Sequence, residues 1–574
     1  MTDLFDGYPP GAAWDEMIAG ADVNEPYRPV HEALTGLSAE ELQARSDSLA
    51  RSYLAQGITF DYGGEERPFP LDTVPRVVAS EEWDLLAPGV AQRVKALESF
   101  LDDVYTDQRV IDEGVIPRRV VVTSQHFARA AMGFRPPGGV RVHVSGIDVV
   151  RDSAEGWRVL EDNVRVPSGV SYVLSNRRAM TQTFPELFSS LRVRPVVDYP
   201  RRLLAALTAT APEGVDDPTV VVLTPGVYNS AYFEHSLLAR LMGVELVEGR
   251  DLFVAGGRVY MRTTSGRRRV DVIYRRVDDD FLDPVVFRSD SMLGCPGIMS
   301  VARAGNVTIS NAVGNGVADD KLVYTYVPDL IRFYLGEEPL LANVDTWRLE
   351  EPDSLAEVLD RLEELVVKPV DGSGGKGIII GPAASREEID AARRRLRADP
   401  RGWIAQPVVQ LSTVPTMIDG LARPRHVDLR PFAVHDGEDV FVLPGGLTRV
   451  ALQEGQLVVN SSQGGGSKDT WVVGRRPGKR RPAAGAAEDA REMQPVPQGV
   501  PLDSDRERTV RVQHEQQQQQ GPTTNGAAPV ASPIAGPTRE GPGPTREGPG
   551  PTREWPGPIT GQHAGPTTEG VVSC

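Results

Sequence analysis

The chain has almost no cysteine: Cys295 and Cys574 are its two in 574 residues. That scarcity excludes a disulfide framework, and with it a cysteine zinc centre. Long apolar runs are missing too, since no stretch nears the roughly twenty residues that span a bilayer. Positive charge is in deficit, with 62 Lys and Arg against 79 Asp and Glu and a formal net charge of −17. A nucleic-acid partner needs a basic surface and does not fit that balance. A small anionic substrate held by a local arginine cluster does fit. The first 22 residues carry acids and lack a basic-then-apolar signal pattern, so a soluble cytoplasmic protein is expected.

What is present is an ordinary core composition, 40% apolar, in a chain long enough for about three compact units. Ser38 and Glu41 have capping-box spacing ahead of Leu42, Leu49 and Leu54, which predicts a helix over 38–57. Val94, Leu97, Phe100 and Leu101 predict another over 90–105. Short Val- and Ile-rich runs at 119–122, 140–144, 148–150 and 157–160 read as strands. From about 200 the pattern changes. An apolar run at 219–223, Pro225-Gly226, a helical stretch at 233–242 and a strand at 244–247 form the order of a parallel α/β layer. A further strand at 270–274 leads into Arg275. Beyond 320, Ser385 and Glu388 open a helix through about 396, and 404–409, 429–434 and 440–443 read as strands.

After Gly474 the composition breaks. A basic run (Arg475, Arg476, Lys479, Arg480, Arg481), the homopolymer Gln516 to Gln520, and Gly-Pro-Thr-Arg-Glu starting at 536, 543 and 550 follow one another. Such segments bury too little apolar surface to offset chain entropy, so 475–574 is expected to be a disordered tail. The seven-residue spacing is no coiled coil, because Pro and Gly fill every repeat.

Two constellations carry chemistry. Lys368 ends the apolar run Val366-Val367, and Gly372-Ser373-Gly374-Gly375-Lys376-Gly377 follows at once. Glycines let backbone N–H groups approach phosphate oxygens, and a lysine adds a point charge; a plain turn between strands has the same look. The Gly-x-x-x-x-Gly-Lys-Ser/Thr spacing of a P-loop is absent. Far upstream, Asp148 precedes Glu161-Asp162-Asn163. Glu161 and Asn163, two apart on a strand, share a face, and two carboxylates with an amide oxygen suit magnesium beside phosphates; a solvated turn is the plain alternative. Arg430 sits on an apolar strand and needs an anion, either Asp428 or a phosphoryl group. Arg449, Asn460 and Arg275 are further candidates for anion contacts.

The order of these motifs resembles an ATP-grasp ligase with its ends exchanged. Lys368-Pro369, the glycine turn, Gln406-Pro407-Val408-Val409 and Asp428-Leu429-Arg430 look like the nucleotide half of that fold. Asp148 with Glu161-x-Asn163 and Pro167-Ser168-Gly169 resembles the magnesium motif that normally closes it. Over about 25–474 the chain is similar to the circularly permuted ATP-grasp proteins of the large bacterial type, relatives of carboxylate–amine ligases such as glutathionylspermidine synthetase. The resemblance implies an α/β (α+β) fold in four parts. A helical region with the magnesium-binding part would occupy 1–199, an inserted α/β domain 200–320, the nucleotide-binding part 321–474 and the tail 475–574.

The resemblance also implies roles. ATP phosphates would lie on Lys368 and on Gly372, Ser373, Gly374, Gly375, Lys376 and Gly377, with adenine along Gln406 to Val409. Magnesium would lie on Asp148, Glu161 and Asn163. Arg430, Arg449 and Asn460 would face the transferring groups, and Arg275 the substrate. The usual additional phosphate-binding cation has no matching motif; Lys321 and Arg348 are the candidates. The implied reaction joins a peptide- or amino-acid-like carboxylate to an amine through an acyl phosphate, with no nucleophilic side chain. An ATP-binding partner without catalysis, and phosphoryl transfer without amide formation, are the other readings. Cys295, His126, His143, His235 and His426 form no catalytic set.

Overall fold

Alternation along two facing β-sheets decides which side chains reach the cleft between them. The smaller sheet has four antiparallel strands in the order Trp347–Arg348, Trp403–Pro407, Leu365–Pro369 and Ile379–Ile380. Successive side chains of a strand point to opposite faces. Leu365 and Val367 therefore turn onto Ala405 and the helix Arg386–Ala398, packing with Ile389, Ala392 and Leu396. Val366 and Lys368 turn the other way, into the cleft, as does Gln406, which pairs opposite Val366. The helix begins where its capping box predicts, with Glu388 N donating to Ser385 Oγ and Ser385 N to Glu388. The same device opens the helix Ala39–Ala55 at Ser38 and Glu41.

The larger sheet has ten strands. Its main path runs Ala342–Asn343, Arg158–Asn163, Val144–Val150, Leu421–Arg430, Leu447–Val450, Gly466–Val473 and Leu71–Ala79. Segments nearly 400 residues apart are thus neighbours: Trp471 lies opposite Val77 in a parallel pair. The helix Ser80–Tyr105 buries Trp83, Leu86, Val90, Val94 and Leu97 in the core beneath. A third sheet is wholly parallel, ordered Thr308–Ser310, Val272–Arg275, Val220–Leu223 and Glu245–Val247, with the helix Tyr232–Met242 linking the last two.

This computed structural model describes residues 4–474 except 6, 9–10, 21, 63–64, 155, 373–376, 458 and 460–464, and in addition Gln513; of 60–67 no side chain is described. All of these belong to one compact unit, Met1–Pro522. The expectation for 475–574 lies outside the described residues, Gln513 apart.

Several local expectations are corrected. Residues 119–122 are not a strand but part of a short helix, Arg118–Val122, in which adjacent Val120 and Val121 are both buried. Strand structure begins only at Val144 and runs unbroken to Val150, so two expected strands are one. Upstream of it, the N–H groups of Arg141 and Val142 donate to the Glu98 carboxylate and that of His143 to Asn311 Oδ1, leaving no ladder to join. The helix expected over 90–105 starts at Ser80 and runs through Pro88-Gly89. Gly89 is needed there because a Cβ would stand 2.5 Å from Leu341 Cγ. The single strand expected over 429–434 is two, Leu421–Arg430 and Phe432–His435, parted at Pro431, which has no N–H to give.

Candidate active site

Four segments distant in sequence meet in the cleft between the smaller and larger sheets. On the larger sheet Asp148 lies opposite Glu161, and Asp428 opposite Arg449. The strand Leu421–Arg430 adjoins Val144–Val150, which brings Arg430 onto Asp148. Its Nε donates to Oδ1 at 2.5 Å and its Nη2 to Oδ2 at 2.8 Å, a bidentate fork. Arg449 Nη2 donates to Asp148 Oδ2 at 2.7 Å, and Arg449 also bonds both oxygens of Asp428. Arg430 Nη2 stands 3.7 Å from Glu161 Oε1.

From the other side come two lysines. Lys368 Nζ donates to Gln406 Oε1 at 2.6 Å, and Gln406 Nε2 in turn to Thr346 Oγ1 at 3.0 Å. Lys321 Nζ lies 3.3 Å from Glu161 Oε2 and donates to the Gly372 carbonyl at 2.5 Å. Lys321, Lys368, Arg430 and Arg449 thus oppose Asp148, Glu161 and Asp428. Three cations and three acids line the cleft, Lys321, Lys368 and Arg449 against Asp148, Glu161 and Asp428, with Arg430 behind Asp148, within a chain of net charge −17. Away from the charges its walls are apolar, formed by Leu160, Val366, Ile378, Ile380, Val409 and Val459. A polyanion attached to a flat apolar ring suits both halves.

Charge states follow from these contacts. Burial would raise the Glu161 carboxyl, but Lys321, Arg430 and Arg449 outweigh it and hold Glu161 well below the usual carboxylate range. Burial raises Asp148, and the Arg430 and Arg449 guanidiniums pull against that rise. Burial pushes the Lys368 ammonium down to about 8; nearby Lys321 adds to the fall while Glu161 and Asp148 oppose it. Lys368 is therefore a cation poised to lose its proton just above neutrality.

The residues expected from the sequence fall into three groups. Lys368, Gly372, Gln406, Val409, Asp148, Glu161 and Arg449 all line the cleft, and Arg430 reaches it through Asp148. Asn163 shares its strand face with Glu161, donating from Nδ2 to Glu161 Oε1 at 3.4 Å. Asp162 between them points oppositely, into a buried pair with Arg93 at 2.5 Å. Gly377, at φ 74°, takes the left-handed conformation glycine allows. Ser373, Gly374, Gly375, Lys376 and Asn460 lie outside the described residues.

Arg275 is not brought to the cleft. It is fully buried, and its donors go to the carbonyls of Asn311, Val277 and Ala312 and to Asp279 at 2.6 Å. It braces the parallel sheet and lines no part of the cleft. Of the two candidates for the additional cation, Lys321 lines the cleft; Arg348 stacks on the Tyr326 ring at 3.7 Å and pairs with Glu351. Asp428, weighed only as an ion-pair partner, is a cleft residue in its own right. Cys295 is buried, and burial pushes its thiol up to about 12, which leaves it inert.

Among the described residues no group of three or more His, Cys, Asp or Glu stands ready to hold a metal. Magnesium does not need one, since it commonly takes one or two protein carboxylates with substrate phosphates and water. Glu161 is 26% exposed toward the cleft, and Asn163 keeps its Oδ1 for other partners, so the two fit that role. Asp148 has both oxygens bonded by guanidiniums and would join only by exchanging one of those bonds.

Comparison with known proteins places the chain in a family. The family described as circularly permuted ATP-grasp type 2 matches residues 75–451. An uncharacterized protein of Mycobacterium tuberculosis is 61% identical over 482 residues, covering 84% of this chain and 88% of its own length. A Synechocystis protein, also uncharacterized, is 51% identical over 471 residues, 81% of this chain and 98% of that one. A Frankia alni protein provisionally named glutamate–cysteine ligase 2-3 is 44% identical over 478 residues, 82% of this chain; the match spans 55% of that longer protein. Among solved structures, a glutathione synthetase-like effector of Globodera pallida aligns with a TM-score of 0.50 at 12% identity, over 76% of this chain and 98% of that one. At that identity the likeness concerns the fold alone.

Proposed function

Because this chain belongs to the circularly permuted ATP-grasp type 2 family, we propose that it is an ATP- and magnesium-dependent ligase joining a carboxylate to an amine through an acyl phosphate. The observation that carries the reading is the cation-lined cleft, with Lys321 and Lys368 on one wall, Arg449 on the other, and Arg430 behind it on Asp148. The substrate carboxylate attacks the γ-phosphate of ATP and ADP leaves; the amine then attacks the acyl carbon and inorganic phosphate leaves. Charge accumulates on the phosphoryl oxygens in the first step and on the acyl oxygen in the second. Preorganised cations stabilise both without contributing a covalent bond.

In this reading Lys368 and Lys321 hold the phosphate chain while the apolar half of the cleft receives adenine. Arg430 and Arg449 are fixed by Asp148 and Asp428, so they meet the developing charge with little reorganisation. Magnesium, when bound, would neutralise the β- and γ-phosphate oxygens; Glu161 and Asn163 would hold it. The provisional name of the Frankia relative is that of an amide-forming reaction, which supports the class. That relative is nearly twice as long as the matched region, so its acid and amine are not carried over.

The test is release of ADP and phosphate when purified protein is given Mg-ATP with a panel of amino-acid and peptide carboxylates and amines. Acid- and amine-dependent release, with product appearing in step and at least about 100-fold slower in Glu161→Gln, is the expected result. Tight ATP binding without release across the panel would instead mark an ATP-binding partner protein. A stable phosphorylated product would mark phosphoryl transfer.

A further inference from the structure

A second cavity, sharing no residue with the cleft, opens between the helices Ala39–Ala55, Val170–Thr183 and Tyr232–Met242 and the segment 193–201. Its volume is about 740 Å³, within the roughly 300–1,000 Å³ of small-molecule sites. Leu174, Phe188, Val196, Phe233 and Leu237 make its walls apolar. Its lip carries exposed apolar side chains as well, Val197 at 75% and Leu241 at 46%.

The charges around it are one-sided. Among the described residues Arg177, Arg178, Arg201 and Arg240 line the cavity and no Asp or Glu does, although acids outnumber bases in this chain by 79 to 62. Arg177 is committed inward, to Asp469 and the carbonyls of Arg194 and Thr470. Arg178, which has a partner of its own, Arg201 and Arg240 are exposed at the mouth. Arg201 makes one exposed contact, 3.4 Å from Asp198, of a kind that contributes little. The Arg240 side chain has no ion-pair or hydrogen-bond partner among the described residues.

An apolar chamber whose described charged lining is cationic selects one chemistry. We propose that this cavity binds a small molecule with an apolar body and an anionic end, a carboxylate, sulfonate or phosphate held at the arginine mouth. The body displaces water from the apolar walls, and the charged end stays at the surface, where the guanidiniums meet it without a burial penalty. The helix that forms one wall starts at Gly169, next to Ser168, whose carbonyl accepts from Arg430 Nη1 at 3.4 Å. A ligand in this cavity therefore touches an element that begins at the cleft.

The inference is independent of the ligase reading and is tested without turnover. Full-length protein is titrated with 8-anilinonaphthalene-1-sulfonate, and in parallel with uncharged N-phenyl-1-naphthylamine, by fluorescence and calorimetry. One saturable site for the sulfonate, at least about tenfold weaker for the uncharged compound and weakened by a similar factor in Arg240→Glu, is expected. Leu241→Asp, a change at an exposed position, should weaken the sulfonate likewise while ATP binding stays as in the unmodified chain. Equal affinity for the two compounds, an unchanged affinity in Arg240→Glu, or displacement of the sulfonate by excess ATP would overturn the proposal. So would a lack of saturable binding, which would leave the face to a macromolecule.

Discussion

Lys368 has its positive charge opposed by burial and by Lys321, and its ammonium titrates near 8. Its folded value lies below that of a free lysine, so below about pH 8 it is charged and above it increasingly neutral. Phosphate binding needs the charged form, so ATP affinity is expected to be full below pH 8 and to fall about tenfold per unit above it. In Lys368→Arg, whose cation does not titrate in this range, the break should vanish; calorimetric titrations from pH 7 to 9.5 check both. Arg449 makes a different prediction, because it is shared between Asp148 and Asp428, both about 1% exposed. Arg449→Ala strands the buried Asp428 carboxylate, while Asp148 keeps Arg430, and should destabilise the fold by about 3–5 kcal/mol, read as a lowered melting temperature. That Glu161 and Asn163 share a face was legible in the sequence, because strand alternation puts 161 and 163 on one side. Arg275, a strand-end arginine before a second arginine, looks the same in sequence whether it faces a ligand or, as here, main-chain carbonyls. Lys321 has no motif around it; its place comes from Lys321 N donating to the Val370 carbonyl and Nζ to Gly372, contacts across about fifty residues.

At the scale of elements, local signals were reliable where the chemistry is local. Both capping boxes formed with the expected partners, since four consecutive residues contain the whole device. Ser385→Ala removes one of them from the helix that backs the Lys368 strand and should cost about 0.5–2 kcal/mol. The same variant should alter ATP affinity less than Lys368→Arg does, a comparison that thermal melts and ATP titration together supply. Signals failed where a distant partner decides. Val-rich 118–122 has the composition of a strand and forms a short helix after Pro117. The stretch before Val144 lacks a ladder because Glu98 and Asn311, 43 and 168 residues away, take its N–H groups. Pro88-Gly89 hid the first third of the helix Ser80–Tyr105, and only the approach of Leu341 explains the glycine.

For the whole molecule the central point is connectivity. Gly466–Val473 lies parallel to Leu71–Ala79, and the Asp148–Glu161 pair sits one strand from Asp428–Arg449, so early and late motifs occupy one sheet. Their order in the chain is opposite to that of an unpermuted ATP-grasp domain, yet the cleft depends on which strands are neighbours and not on which is translated first. That is why the family was legible from motif spacing, while the charge pairing of the cleft, built from cross-strand register, was not. The measurement that tests this most directly is calorimetric titration of ATP, with and without magnesium, into the unmodified protein, Glu161→Gln and Lys368→Met. One site made from both ends of the chain predicts magnesium-dependent binding in the first, with affinity reduced at least about tenfold in each variant. Binding lost in Lys368→Met but indifferent to magnesium and to Glu161→Gln would contradict it.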